Sequence, residues 1–279
     1  MNENNPNNKS TLSEIQDELF DITDRVISIC EDNHIPYYLA FGSCLGAVRH
    51  KDFIPWDDDI DLYIPYQYIE KLKECFTGEG DLFYQDLQTD PEYFIPFSKV
   101  RKNGTTSMDL NLQAANIHWG ICIDLFPLIE YDRPKIRKTT FLKLNLVHKL
   151  ARIPYVKRFQ SPSRVTAALY TVIEKKWRTK LFFKLMDSVQ RKGNYCFCPF
   201  DDAPACAVFP KEVFGEGKAV LFRNKAFKVP CQYDTYLKES YGPDYMEIPP
   251  ENSELRYCHS DSIMDCTKDY SYYKNGEQA

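Results

Sequence analysis

Ile15, Leu19, Ile22, Val26 and Ile29 recur at three- and four-residue intervals behind Thr11-x-x-Glu14. That spacing lines apolar side chains along one helix face, and Thr followed three residues later by Glu is a capping box. The pattern therefore predicts an amphipathic helix over 12–33. The period then changes. "IPYYLAFG" (35–42) reads as a strand stopped at Gly42, and Ser43 is placed to cap a short helix over 44–49 whose free N–H groups would make an anion site. In "DIDLYI" (59–64) the alternation puts Ile60, Leu62 and Ile64 on one face and Asp59, Asp61 and Tyr63 on the other, with Pro65 as the stop.

Ile69, Leu72 and Phe76 mark a helix packing behind that strand. Strand-like runs follow at 94–102 and 121–128, then helical patterns over about 136–152 and 163–191, in which apolar positions are interleaved with Lys and Arg. Short strands near 218–229 and a helix over 233–240 complete the pattern. No repeat or linker interrupts it. The expected fold is α+β: one domain over 11–279, a mixed β-sheet flanked by helices, with a basic helical insertion at about 135–192. Residues 1–10 are Asn-rich and expected to be disordered.

Composition narrows the class. Apolar content of 43% and charged content of 27% are those of an ordinary globular protein. No window reaches the roughly 18 apolar residues of a membrane span, and the N-terminus has no secretory pattern, so the chain reads as cytoplasmic. Ten cysteines without a CxxC read as reduced thiols. The only cluster, Cys196, Cys198 and Cys206, matches zinc-ligand spacing poorly. Charge is strongly segregated: 135–192 holds 16 Lys/Arg against Glu174 and Asp187, while the rest carries 19 basic and 38 acidic residues. Three readings of the basic stretch stay open: a solvated helical face, nucleic-acid binding (for which no recognition motif is present), and docking to anionic lipid at the inner membrane face.

The candidate chemistry sits in "DDDID", four aspartates within five positions. A solvated acidic turn is the plain reading. An EF-hand is disfavoured, because the Gly and Glu its loop requires are missing. Asp59 and Asp61, at i and i+2 on a strand whose other face is aliphatic, would point the same way, and two such carboxylates must share a proton or a cation. Oxygen ligands on a rigid strand suit Mg²⁺. Asp124, an acid inside an otherwise apolar strand, is the candidate third carboxylate, with a cap or salt-bridge role as the alternative.

"GSCLGAVRHKDFIPWDDDIDLYIP", "FSKVRKNGTTSMD", "GICIDLFPL" and "VPCQYDTYLKESYGPDYMEIPP" together resemble the LicD family of phosphocholine transferases, to which the fukutin-related sugar-alcohol phosphate transferases are related. The resemblance runs from about Glu14 to His259. It implies a nucleotidyltransferase-type core, a divalent metal (Mg²⁺ or Mn²⁺), and transfer of a phospho-alcohol from a CDP-activated donor to a sugar hydroxyl of a cell-surface glycan or its lipid-linked precursor. It implies Asp59, Asp61 and Asp124 as metal-binding and catalytic acids, and Gly42-Ser43 as the phosphate turn, where the family more often shows Gly-Gly-Thr or Gly-Thr. Asp57 and Asp58, by position and parity, fall to capping or support. Arg49, Lys99 and Arg101 are candidate phosphate contacts, with surface salt bridges as the alternative, and His259 takes the place of a family C-terminal histidine. Trp56 and Trp119 are core residues or walls of a cage for a quaternary ammonium group. His50 reads as a packed structural histidine. Arg223-Asn224 stands where many relatives carry an acidic-glycine pair, which marks either a change of specificity or a substituted hairpin turn. A different nucleotidyltransferase and a non-catalytic nucleotide-binding relative remain the alternatives, because D-x-D alone does not decide which phosphorus is attacked.

Overall fold

The structure is a computed structural model and describes residues 9–76, 80–160, 163–200, 207–251, 253, 256 and 262–274. Helix α1 (Leu12–Asp32) begins with the expected capping box: Thr11 N–H donates to Glu14 Oε2 at 2.7 Å and Glu14 N–H to Thr11 Oγ1 at 3.3 Å. In order follow β1 (Tyr38–Leu39), α2 (Phe41–Arg49), β2 (Asp61–Pro65), α3 (Ile69–Glu74), β3 (Leu82–Gln85), β4 (Ser98–Lys102), β5 (Thr106–Asp109) and β6 (Cys122–Tyr131). The basic stretch forms α4 (Lys138–Ala151), α5 (Ile153–Phe159), α6 (Arg164–Lys176) and α7 (Arg178–Val189). The chain then makes β7 (Tyr195–Phe197), β8 (Val208–Pro210), the hairpin β9 (Lys218–Phe222) and β10 (Lys225–Val229), α8 (Tyr233–Tyr241), β11 (Ser262–Asp265) and α9 (Tyr270–Lys274).

The central sheet is mixed, as the α+β expectation requires, with strand order β1-β2-β6-β4-β3. β2 and β6 run parallel and the other pairs antiparallel, while β7 and β8 extend from the far half of β6. Register sorts the side chains. Leu62, Leu125, Ile123, Val100 and Tyr84 fall on one face, where α1 packs across β4 and β6 with Ile15, Leu19, Ile22 and Val26 buried. Asp61, Asp124, Lys99 and Gln85 fall on the other. One hydrophobic cluster joins α1, the sheet, α4, α7, the β9–β10 hairpin and α8. Among the described residues no helix is long and apolar enough to cross a membrane.

Several elements differ from the sequence expectation, each for a local reason. The first strand is only Tyr38–Leu39, and α2 begins at Phe41 with Ala40 as its cap, so Ser43 lies inside the first turn and does not cap it. Asp59 lies just before β2, so strand parity does not fix its direction. The strand expected over 94–102 is ordered as β only from Ser98. The helix expected over 163–191 breaks at Trp177, where φ is −134°, because Arg178 turns into the core. Pro154, tolerated in a first turn, starts an additional helix, α5. Residues 1–8 lie outside the described residues. Lys9 and Ser10, expected to be disordered with them, are held: Lys9 N–H donates to Met264 O at 2.9 Å, and Ser10 Oγ accepts from Cys266 N–H at 3.0 Å. Arg223-Asn224 is a two-residue hairpin turn. Arg223 pairs with Asp17 at 2.6 Å and Asp52 at 2.9 Å, and its guanidinium lies against the Phe20 and Phe53 rings, which is a structural tie.

Candidate active site

Asp61 opens β2 beside Asp124 of β6, and Asp124 in turn faces Lys99 of β4. Lateral neighbours in a sheet point to the same side about 4.8 Å apart, so these three side chains form one row across three strands. Lys99 Nζ donates to Asp124 Oδ1 at 2.5 Å and Oδ2 at 2.8 Å. Burial alone would lower the Lys99 pKa, but Asp124 outweighs it and keeps the ammonium charged. Two residues along β4, Arg101 points to the same face and is 3% exposed. Its guanidinium donates to Gln85 Oε1, and to the Gly120 carbonyl at 2.7 Å, and lies 5.7 Å from the Trp119 ring centroid. Its described partners are neutral, so a buried positive charge is presented without a carboxylate to answer it.

The start of α2 fixes the other edge. Phe41 has φ 42°, a left-handed conformation costing about 1–3 kcal/mol for a bulky residue. Surrounding contacts hold it: its N–H donates to Tyr236 Oη at 2.9 Å and its ring packs on Tyr63 and Phe126. Ser43 Oγ accepts the Asp61 N–H at 2.8 Å, which ties the turn to the strand. A Cβ on Gly42 would lie 3.0 Å from Asp57 Oδ2, so the Asp57 carboxylate stands over the first turn of α2. A negative group is favoured at that helix end. Gly46 is required one turn on, since its Cβ would meet Asp52 O at 2.7 Å.

A cavity of about 370 Å³ opens over this face, lined by Asp58, Asp59, Lys99, Arg101, Trp119 and Asp124. Through Phe94, Ile95, Asp109 and Leu112 it adjoins a second, of about 500 Å³, walled by His148, Arg152, Tyr155 and Phe200. Asp61 has its pKa pushed well above the ordinary carboxylate range, first by burial and then by Asp59, Asp124 and Asp57, with Lys99 opposing. A site that crowds acids this way holds a proton or calls for a cation. The oxygen donors of Asp59 and Asp61 suit Mg²⁺, which needs only one or two carboxylates when phosphate and water complete its shell. Asp124 fits less well as a ligand: Lys99 holds both its oxygens, and among the described residues no three His, Cys, Asp or Glu side chains converge as a metal-holding group.

The expected residues thus divide. Asp59, Lys99, Arg101 and Asp124 share one cavity, and Asp61 adjoins it in the sheet row. Asp58, set aside on parity, also lines the cavity, because the irregular backbone before β2 has no pleat to obey. Ser43 is buried and engaged with the Asp61 backbone. Arg49 is not brought in. It ends α2, where its Nη1 donates to the carbonyls of Tyr245 at 2.9 Å and Glu247 at 3.0 Å, and its Nε to His50 Nε2 at 2.9 Å. Neither tryptophan is an open cage, since Arg256 covers Trp56 at 4.4 Å and Arg101 lies over Trp119. His259 and Cys206 lie outside the described residues. The sequence reading missed Tyr241, at the end of α8. Its hydroxyl pKa is raised by burial and then by Asp61, Asp57 and Asp59, which keeps it a neutral donor beside the acids. Its only sequence signal was membership of the quoted C-terminal motif.

Residues 34–162 match the family model described as LicD/FKTN/FKRP, nucleotidyltransferase domain. The chain is 26% identical over 265 residues to lipopolysaccharide cholinephosphotransferase LicD of Haemophilus influenzae, covering 88% of this chain and 95% of that protein. It is 46% identical over 55 residues to ribitol 5-phosphate transferase FKRP of Homo sapiens, covering 20% of this chain and 10% of that protein. Over 105 residues it is 26% identical to mannosyltransferase regulator 4 of Saccharomyces cerevisiae, covering 37% of this chain and 9% of that protein.

Proposed function

With a LicD-family domain at 34–162 as the premise, we propose that this enzyme moves a phospho-alcohol, phosphocholine first among candidates, from a CDP-activated donor to a hydroxyl of a cell-surface glycan or its lipid-linked precursor. The observation that carries this reading is the pairing of crowded carboxylates with two cations: Asp61 and Asp124 share a sheet face with Lys99 and Arg101, and Asp59 lines the cavity over that face. Phosphoryl transfer asks for positioned positive charge around the phosphorus and a carboxylate near the attacking oxygen. The same features support a nucleotidyltransferase-type core.

In the proposed reaction the acceptor hydroxyl attacks the β-phosphorus of the CDP-alcohol. The new O–P bond forms as the bridge to the α-phosphate breaks, and CMP leaves with the bridging oxygen. Arg101 offers a fork of donors to a phosphate, and its Trp119 and Gln85 contacts fix that fork before substrate arrives. Lys99 orients Asp124, whose carboxylate takes the hydroxyl proton. Tyr241, whose hydroxyl interacts with Asp61, Asp57 and Asp59, is a further donor to phosphate oxygen. A Mg²⁺ or Mn²⁺ ion held by Asp59 and Asp61 would neutralise the donor's phosphates. The second cavity, with aromatic walls and the polar groups of Arg152, His148 and Asp109, is where the acceptor fits.

The regulator among the relatives raises a non-catalytic reading, against which stands the presence of every acid the chemistry uses. The test is a panel of CDP-choline, CDP-ribitol, CDP-glycerol and CDP-ethanolamine with Mg²⁺ and sugar acceptors, products read by mass. One donor should give an acceptor heavier by its phospho-alcohol. Release of CMP from none of the four would overturn the proposal.

A further inference from the structure

Helix α6 fully buries none of its described side chains. Val165, Leu169 and Val172, at i, i+4 and i+7, form one stripe and are 79%, 55% and 57% exposed. Trp177, just beyond the helix, is 57% exposed. A second patch, Phe141, Leu142 and Leu146, stands on the outer face of α4 between the exposed Lys138 and Lys149. Seven of the twelve exposed large apolar residues among the described ones therefore fall within the stretch that carries 16 Lys/Arg against two acids.

The combination selects the partner. A nucleic acid answers the charge but leaves aliphatic stripes in water, and its phosphates gain nothing from them. A second copy would cover the stripes but bring two surfaces of the same strong charge together. An anionic bilayer answers both: Lys and Arg lie among headgroups, Val, Leu and Phe enter the interface, and Trp sits at the boundary. We propose that the outer faces of α4 and α6 dock on anionic lipid membranes, lying in the interface without spanning it. The docking face is distinct from the phosphate-facing cavity. His148 of α4 lines the adjoining cavity, so the docking helix also borders the space where the acceptor fits.

The test needs no turnover, so it can fail while the catalytic proposal stands. The full chain is sedimented with phosphatidylcholine vesicles, with and without about one third phosphatidylglycerol. Binding is expected to the anionic vesicles alone, weakening at about 0.5 M salt as screening shortens the reach of the charges. Emission from Trp177 should shift to the blue, a change lost in Trp177→Phe. The double variant Leu169→Asp/Val172→Asp should bind at least about tenfold more weakly. Lys138→Glu/Lys149→Glu should weaken binding with the apolar stripe intact. Because all five positions are exposed, circular dichroism should show unchanged folds. Wild-type chain that ignores both vesicles, or binds neutral and anionic ones equally, overturns the proposal. So does a dimer, dissolved by Leu169→Asp/Val172→Asp, in a protein that does not sediment with lipid.

Discussion

Arg101 is held by neutral acceptors at a depth where an arginine ordinarily meets a carboxylate, and that mismatch is the sharpest local sign of an anionic ligand. Arg101→Gln should lower kcat/KM by about 10²–10³-fold, the usual effect of removing one transition-state charge donor. Arg101→Lys, which keeps the charge and loses the fork, should fall between the two. Equal activity in all three would remove Arg101 from the site. Arg101 was legible only as a basic residue two positions after Lys99, since strand alternation puts both on one face. Which face, and that Lys99 would neutralise Asp124, depended on register between strands far apart in sequence. Asp61 stood out because apolar alternation and acid spacing coincide in β2, whereas Asp59, before the strand, was picked out by a parity that does not reach it. Asp58 was set aside on a parity that does not extend to it, since β2 starts at Asp61, and it lines the cavity. Arg49 was misplaced because its motif neighbours sit at the start of α2, while its own side chain reaches the 245–247 segment from the other end.

Between elements, two polar ties decide how the helical stretch and the C-terminal strand attach. Arg178 is 1% exposed and donates to the carbonyls of Leu150 at 3.0 Å and Ala151 at 3.1 Å, at the end of α4, and to Pro91 at 2.8 Å in the β3–β4 connection. Arg178→Met should lower stability by about 3 kcal/mol in denaturant unfolding, because several carbonyls lose their donor at once. In the sequence Arg178 was one basic residue among 16; nothing in its spacing separated a buried clamp from a solvated charge. The same clamp is why one long helical pattern is two helices. In β11, burial would raise the Asp265 pKa, but hydrogen bonds from Tyr273 Oη at 2.5 Å, Thr267 Oγ1 and N–H at 2.7 Å each, and Lys268 N–H at 3.1 Å outweigh it and hold it low. A depressed folded pKa stabilises the fold above the unfolded carboxylate range, and this contribution is lost as pH falls through the folded value. Asp265→Asn should therefore be less stable than wild type at pH 7, with the gap closing in acid. A gap that stays constant down to pH 2 would contradict this.

Taken whole, the molecule has one sheet with two different faces. One is sealed by α1; the other carries acids and cations under an open cavity, with α4 and α5 walling the space beyond. This division could be read from the alternation in β2 and from Asp124, the acid in the otherwise apolar first half of β6. The meeting of 59–61, 99–101 and 124 required the parallel pairing of β2 with β6, which no local pattern announces. In the proposed chemistry the crowded carboxylates drive attack on the β-phosphorus. That chemistry is tested most directly by the identity of the leaving group, with the wild-type chain and Asp61→Asn compared on the CDP-alcohol that the panel selects. The wild-type chain should give CMP and a phospho-alcohol-bearing acceptor. Asp61→Asn should give neither, and should melt at the same temperature or higher because a crowded buried carboxyl group is gone. Release of the free phospho-alcohol with CMP left on the acceptor, or undiminished turnover in a folded Asp61→Asn, would contradict the proposed chemistry.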